Sequence, residues 1–303
     1  MKHPYHTLNE RMQARYGKKI RKICVDGGFT CPNRDGTCGT GGCIFCGSRG
    51  AGEQLNPTRT IREQVEEAMR HRPGHEWIVY FQNFTNTYAP LSVLKDRYDA
   101  ALIDDCIRVL DIGTRPDCIT DEIAKMLAKY AKEREVWVEL GLQTANDLTA
   151  ERINRGYPLS VFQDAVRILK DHGLPVIAHI ILGLPGESLT DIRHTTDILN
   201  AYGIDGVKIH SLFIMKNTKL ADLYQSGMFI PISMQTYISW AIDTLTRLSP
   251  DMIIHRMTGN CLREELLAPE WIMDRDRILC TIDRMMYAQG LTQGCRYAQA
   301  CFT

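Results

Sequence analysis

The sequence has no net charge with which to announce a partner. Its 36 lysines and arginines balance 36 aspartates and glutamates over 303 residues, so global electrostatics does not single out nucleic acid as a target. No apolar run is long enough to cross a bilayer and no secretory signal is visible; the expectation is a cytoplasmic protein without a membrane partner. There is no internal sequence repeat. Nor are the eleven cysteines the framework of a small disulfide-rich secreted domain, because the chain is too long for one. In a reducing compartment, clustered cysteines point instead to metal. With 44% hydrophobic and 24% charged residues, the chain can build an ordinary soluble core.

Four cysteines fall in one glycine-rich stretch, Thr30 to Ser48 (TCPNRDGTCGTGGCIFCGS). Cys43 and Cys46 form a C-x2-C pair, Cys31 stands upstream of Cys43 across a gap of eleven residues, and Cys38 lies between. Glycine adopts positive φ without penalty, so the backbone can fold tightly here. Thiolates in such a loop suit zinc or an iron–sulfur cluster. The scattered Cys24, Cys106, Cys118, Cys261, Cys280, Cys295 and Cys301 read as small hydrophobes. Charge is uneven locally: between Met1 and Lys22 the residues Lys2, Arg11, Arg15, Lys18, Lys19, Arg21 and Lys22 face only Glu10. That patch can meet phosphate, or be a solvated basic face.

Strand and helix alternate about six times. Strands are expected at 21–28, Trp77–Phe81, Cys106–Ile112, Glu135–Leu142, Pro175–Leu184 and Gly206–Ile214, with helices at 58–70, 91–103, 121–132, 148–154, 161–172, 191–200 and 218–225. Such alternation implies a parallel sheet with right-handed crossovers, curled into a barrel. From 233 onward the chain reads as mostly helical, with one more strand candidate at Met252–His255. The expected organisation is a basic segment 1–22, a barrel 23–230 and a C-terminal extension 231–303. In parallel barrels the working residues gather where strands end, and here the strands end in the cysteine loop, QNFTNTY, GTRPDC, ELGLQTAND, ILGLPGE and KIHSL.

Those phrases, in that order and together with GFTCPNRDG and INRGY, resemble the radical S-adenosylmethionine (radical SAM) enzymes. Within them the chain is similar to the YhcC/YtqA (MnmL) group, close to the radical SAM barrel of the Elongator catalytic subunit. LLAPEW and QGCRY extend the resemblance to nearly the whole length. It implies an α/β fold, a partial (β/α)6 TIM-like barrel with a mostly helical C-terminal extension. It also implies a [4Fe–4S] cluster on Cys31, Cys43 and Cys46, with S-adenosylmethionine (SAM) on the fourth iron, cleaved by one electron to a 5′-deoxyadenosyl radical. The C-x11-C-x2-C spacing departs from the superfamily's commoner C-x3-C-x2-C and fits this group.

By the same resemblance Gln82 and Asn83 meet the SAM amino group, Glu139 and Gln143 hold the ribose, and Arg155 meets the SAM carboxylate. Gly183 lets the backbone approach the adenine and Glu187 closes that loop; Tyr157 stands where the group more often has histidine. Arg115 and Asp117 are the candidate catalytic pair on the substrate side. Plainer readings stand beside these: an Arg155–Glu139 ion pair, a simple turn at Gly183, and an Arg115–Asp117 salt bridge fixed by Pro116. His179, His210 and His255 are expected to line the pocket without binding metal.

The implied reaction is tRNA modification at the wobble uridine, converting 5-carboxymethylaminomethyl-(2-thio)uridine to the 5-aminomethyl form. Its partners would be the tRNA anticodon region and an electron donor such as flavodoxin or ferredoxin. Phe84, Tyr88 and Arg97 are candidates to meet an unstacked base at the mouth. Two other functions fit the residues: a radical SAM enzyme acting on a small metabolite, and a non-catalytic RNA-binding protein stabilised by zinc on Cys31, Cys38, Cys43 and Cys46.

Overall fold

A computed structural model describes residues 3–50, 55, 58–259 and 261–298; Lys2 and Cys301 fall outside them. Helix α1 (Leu8–Tyr16) precedes strand β1 (Ile20–Val25), after which helix and strand alternate. They run α2 (Ile61–His71), β2 (Glu76–Phe81), α3 (Leu91–Ala101), β3 (Ile107–Thr114), α4 (Asp121–Tyr130) and β4 (Glu135–Gln143). There follow α5 (Asp147–Arg152), α6 (Leu159–Asp171), β5 (Val176–Leu182), α7 (Leu189–Ala201) and β6 (Gly206–Ser211). The rest comprises β7 (Ile214–Met215), α8 (Lys219–Gln225), α9 (Met234–Arg247), β8 (Ile253–Arg256), β9 (Leu266–Ala268) and α10 (Arg275–Ala288).

Seven strands form one sheet in the order β1-β2-β3-β4-β5-β6-β8, parallel throughout. The sheet curls into an open half-barrel, one strand wider than the six expected. The seventh strand comes from the segment assigned to the extension. A separate antiparallel pair, β7 with β9, had no counterpart in the sequence reading.

Side chains alternate across a strand, and here the alternation sorts chemistry. Outward residues such as Val79, Phe81, Leu110, Ile112, Val138 and Leu140 are buried in the main core, under the crossover helices. The inward face is layered. At its base Ile20, Ile78, Val109, Trp137 and Ile177, one from each of five strands, pack around Met12 of α1. Two residues further along each strand stand Lys22, Tyr80, Asp111, Glu139 and His179; two further again, Cys24, Gln82, Gly113, Gly141 and Ile181.

Helix α1 therefore plugs the base. Its start is fixed by a capping box between Thr7 and Glu10, and Thr7 bridges to Ile254 of β8. The T-x-x-E signal for this helix is legible at Thr7–Glu10. Several cations of the basic N-terminal segment are correspondingly engaged by carboxylates of the barrel. Arg15 pairs with Glu135, Lys18 lies 3.2 Å from Glu76, and Lys22 points inward to Asp111 at 2.6 Å. Glu76 and Glu135 open β2 and β4, so these cations cover the end opposite the strand termini that carry the cysteine loop.

Candidate active site

The loop after β1 carries Cys31, Cys43 and Cys46 into the wall of a cavity of about 540 Å³. Cys38 is exposed and does not line it. The loop is clamped by the phrase after α5. Asn154 Nδ2 donates to the Gly42 carbonyl at 2.7 Å, Asn33 Nδ2 to the Asn154 carbonyl at 2.6 Å, and the Ile44 amide to the Ile153 carbonyl at 3.0 Å. Gly42 has φ 73°, where a side chain would be strained and would meet Arg34. Arg34 in turn donates to the carbonyls of Cys46 and Ser48, each at 3.2 Å.

The Cys43 thiol donates to Cys46, and this bond, helped by Arg34, brings the Cys46 thiol down to about 7 against the cost of burial. Thiolate is the metal-binding form. Among the described residues no three His, Cys, Asp or Glu side chains converge on the position of a single ion. Cys38, exposed and off the cavity wall, stands apart from the other three cysteines, which disfavours the four-thiolate zinc knuckle. Three cysteines facing a cavity fit a polynuclear cluster with one metal corner open to a ligand.

Gln82, Glu139, Gln143, Arg155 and Arg115 all line this cavity. Gln143 has φ 65°, a conformation that turns the β4 terminus toward the mouth. Asn83 is fully buried and donates to Asp26 at 2.8 Å, away from the cavity wall. Gly183 is also absent from the wall; its φ of 94° and the approach of Ile232 to 3.0 Å from a would-be Cβ explain the glycine without any ligand.

Arg155 reaches the wall, but its five N–H groups are directed at protein. Nη1 donates to Leu142 and Thr144 carbonyls (2.7 and 2.5 Å), Nε and Nη2 to the Tyr157 carbonyl (3.0 and 2.8 Å), and Nη2 to Asp147 (3.2 Å). A guanidinium so engaged has no donor left for a SAM carboxylate; it shapes the wall. Arg155 does not pair with Glu139. Arg115 is gripped by Asp117 at 2.9 and 2.5 Å and donates to the Arg155 carbonyl at 3.0 Å. Asp117 does not line the cavity, so the pair is the salt-bridged turn that Pro116 suggests. Around the mouth, Phe84 lines the cavity, Tyr88 bonds Thr37 at 2.8 Å, and Arg97 stacks over Phe29.

Below the mouth lies a layer that the sequence reading missed. Glu139 sits among Lys208, His179 (2.8 Å) and Lys22 (3.7 Å), while Lys22 also holds Asp111. Tyr80 is sandwiched by the two ammonium groups, at 4.4 and 4.1 Å from its ring. Burial drives these groups toward neutrality. It pushes Asp111 up to about 7, with Glu139 adding to the shift, and brings Lys208 down to about 8. For Glu139 burial is outweighed by Lys208 and Lys22, which hold the carboxylate well below its usual range. His179, His210 and His255 all line the cavity, and burial keeps each below its ordinary value. The signal was present in the sequence. Lys22, Asp111 and Lys208 interrupt apolar strands at the inward period, where a charge demands a partner.

Comparison with known proteins places this geometry. The model described as "Radical SAM superfamily" matches residues 34–199, and that for the radical SAM C-terminal domain matches 204–288. The chain is similar to the uncharacterized protein YtqA of Bacillus subtilis (strain 168), 36% identical over 296 residues, covering 96% of this chain and 92% of that one. Protein YhcC of Escherichia coli (strain K12) is 37% identical over 279 residues, 91% of this chain and 90% of the other. Among solved structures, the archaeal Methanocaldococcus infernus Elp3 superposes with a TM-score of 0.66 at 18% identity. That alignment covers 90% of this chain and 64% of the other; at such identity it speaks to fold alone. A family model spanning more than half the sequence, on a barrel whose mouth gathers three cysteines, makes the chain a member of the radical SAM superfamily, enzymes that use a [4Fe–4S] cluster and SAM.

Proposed function

We propose that the enzyme modifies the wobble uridine of tRNA, converting the 5-carboxymethylaminomethyl side chain to 5-aminomethyl. The observation that carries this reading is the charge of the cavity. Although the chain is neutral overall, seven basic side chains (Lys22, Lys208 and five arginines) line the cavity against one carboxylate, Glu139. Lys22 and Lys208 are balanced by Asp111 and Glu139, and Arg115 and Arg155 by Asp117 and Asp147, which leaves Arg34, Arg256 and Arg275 to set the field. Phe45, Phe84 and Phe213 line the same space. Aromatic faces and positive charge together suit an unstacked base bearing an acidic side chain.

The cluster ligands in this reading are Cys31, Cys43 and Cys46. When bound, cluster and SAM supply a 5′-deoxyadenosyl radical able to abstract hydrogen from the substrate. The chain's residues position and shield that event. Arg34 and Asn154 hold the cysteine loop, Arg155 and Tyr157 fix the wall beside it, and the α1 plug closes the base against water.

An anaerobic assay of the reconstituted enzyme with SAM, dithionite and undermodified tRNA tests this. Following 5′-deoxyadenosine and tRNA nucleosides together, with Cys43→Ala as control, the expected result is both products in the wild type and neither in the variant. A specific observation keeps a second reading in play: the N-terminal cations face away from the mouth. A small carboxylated metabolite would fit the same cavity, and deoxyadenosine formation with unchanged tRNA would favour it.

A further inference from the structure

Strand β8 carries an irregularity at the cavity. Its register against β6 pairs Gly206 with Ile253 and Val207 with Ile254, then skips a residue to pair Lys208 with Arg256. In a regular strand His255 facing inward would force Arg256 outward. The bulge breaks that alternation, and both His255 and Arg256 line the cavity. Bulges beside active sites commonly re-aim a side chain in this way. Arg256 thereby joins Gly141, His179 and Lys208, its register partners across β4, β5 and β6, in one row beneath the mouth.

The neighbouring charges in this row are satisfied, but Arg256 is not. Lys208 and His179 share Glu139, and Lys22 holds Asp111. The Arg256 side chain makes no hydrogen bond or ion pair among the described residues. The buried Nε2 of His210, in the same cavity, also has no partner there. A guanidinium and an imidazole nitrogen, both without protein acceptors or donors, invite a ligand that satisfies both.

We propose that Arg256, with His210 beside it, binds the carboxylate of the substrate's reacting side chain. This rests on the wobble-uridine reading above and names the group in that substrate which the cavity recognises. Depth selects a carboxylate over a backbone phosphate. Arg256 is in register with the buried Lys208, and a side chain carried on an extruded base enters such a cavity ahead of its phosphodiester. Arg256 is thus a specificity-determining residue on the substrate side, where Arg115, bound to Asp117, was the candidate.

The test uses the cluster-loaded enzyme as wild type, Arg256→Gln and Arg256→Lys. Iminodiacetate, each arm of which reproduces the N–CH2–carboxylate unit, is titrated anaerobically by calorimetry in the presence of SAM. Steady-state KM and kcat are then measured on tRNA bearing the carboxymethylaminomethyl group, and SAM affinity on all three proteins. The expected result is iminodiacetate binding to wild type that weakens at least tenfold in Arg256→Gln and is partly restored in Arg256→Lys. The KM for tRNA should rise in step, while SAM affinity moves less than twofold. Absence of iminodiacetate binding to wild type, equal affinity in all three proteins, or a loss confined to SAM affinity would overturn the assignment. Binding through Arg256 with unmodified tRNA would sink the wobble reading and leave the carboxylate site standing. Wild-type tRNA modification with an unchanged KM in Arg256→Gln would do the reverse.

Discussion

Arg155 donates to the Tyr157 carbonyl from both Nε (3.0 Å) and Nη2 (2.8 Å), closing a two-residue loop on itself while Nη1 ties down the end of β4. Its guanidinium also lies 4.6 Å from the Tyr157 ring. The residue that the family phrase INRGY marks as a ligand is thus a staple between two walls of the site. Substituting Arg155→Met leaves the Thr144 and Tyr157 carbonyls without their donor, while Leu142 keeps the Thr144 amide. Unsatisfied buried acceptors cost about 1–3 kcal/mol each, so the variant should lose about 2–6 kcal/mol. A markedly lower unfolding midpoint is the expected outcome; a protein of normal stability with weakened SAM binding would restore the ligand role.

The cysteine loop makes a sharper division of labour. Cys31, Cys43 and Cys46 line the cavity and exposed Cys38 does not. After anaerobic reconstitution, Cys38→Ala should retain wild-type iron content and the visible absorbance of the cluster. Alanine at any of the other three should lose most of both. Loss of iron in Cys38→Ala would bring back a four-thiolate site.

How much of this was legible can be judged residue by residue. The apolar strands announced themselves, because a strand buried on both faces is a short hydrophobic run, and Trp77–Phe81 needed no other signal. The cysteines were legible because thiolates at short spacing have few other uses. What escaped was whatever depends on two distant segments meeting. Lys22 looked like one more cation in a basic run, and only the barrel's inward period shows it facing Asp111, 89 residues away. Arg155 was legible as buried chemistry, yet its acceptors are backbone carbonyls, which every residue possesses and no sequence pattern marks. The bulge that turns Arg256 inward depends on pairing with β6, which local propensity does not encode.

Glu187 offers a test by pH. One of its carboxylate oxygens is buried without a partner, and burial pushes the group up to about 7 from an ordinary 4.5. Between those values the folded state holds a proton that the unfolded state has released, so this group's contribution falls as pH rises through that window. Above 7 the carboxylate is ionised in both states and the full penalty remains. Glu187→Gln has no such term. Relative to wild type, the variant should gain stability steadily between pH 5 and 7 and level off above that, by an amount on the order of 2 kcal/mol. Unfolding midpoints of the two holoproteins, measured anaerobically across that range, check it; parallel curves would show that Glu187 does not titrate there.

The N-terminal cations give the last prediction. Arg11, Arg15 and Lys18 face Glu135 and Glu76 at the base of the barrel, with α1 between them and the cavity. Contacts to phosphate weaken with salt, and each one removed lowers the slope of log affinity against log salt by about one. If tRNA enters at the cysteine mouth, Arg11→Gln, Arg15→Gln and Lys18→Gln combined should leave both affinity and slope unchanged. Arg275→Gln, on the cavity wall at the start of α10, should weaken binding and flatten the slope. The opposite pattern would place the RNA across the closed end of the barrel, where no described cysteine of the loop could reach it, and would leave the mouth to a small molecule.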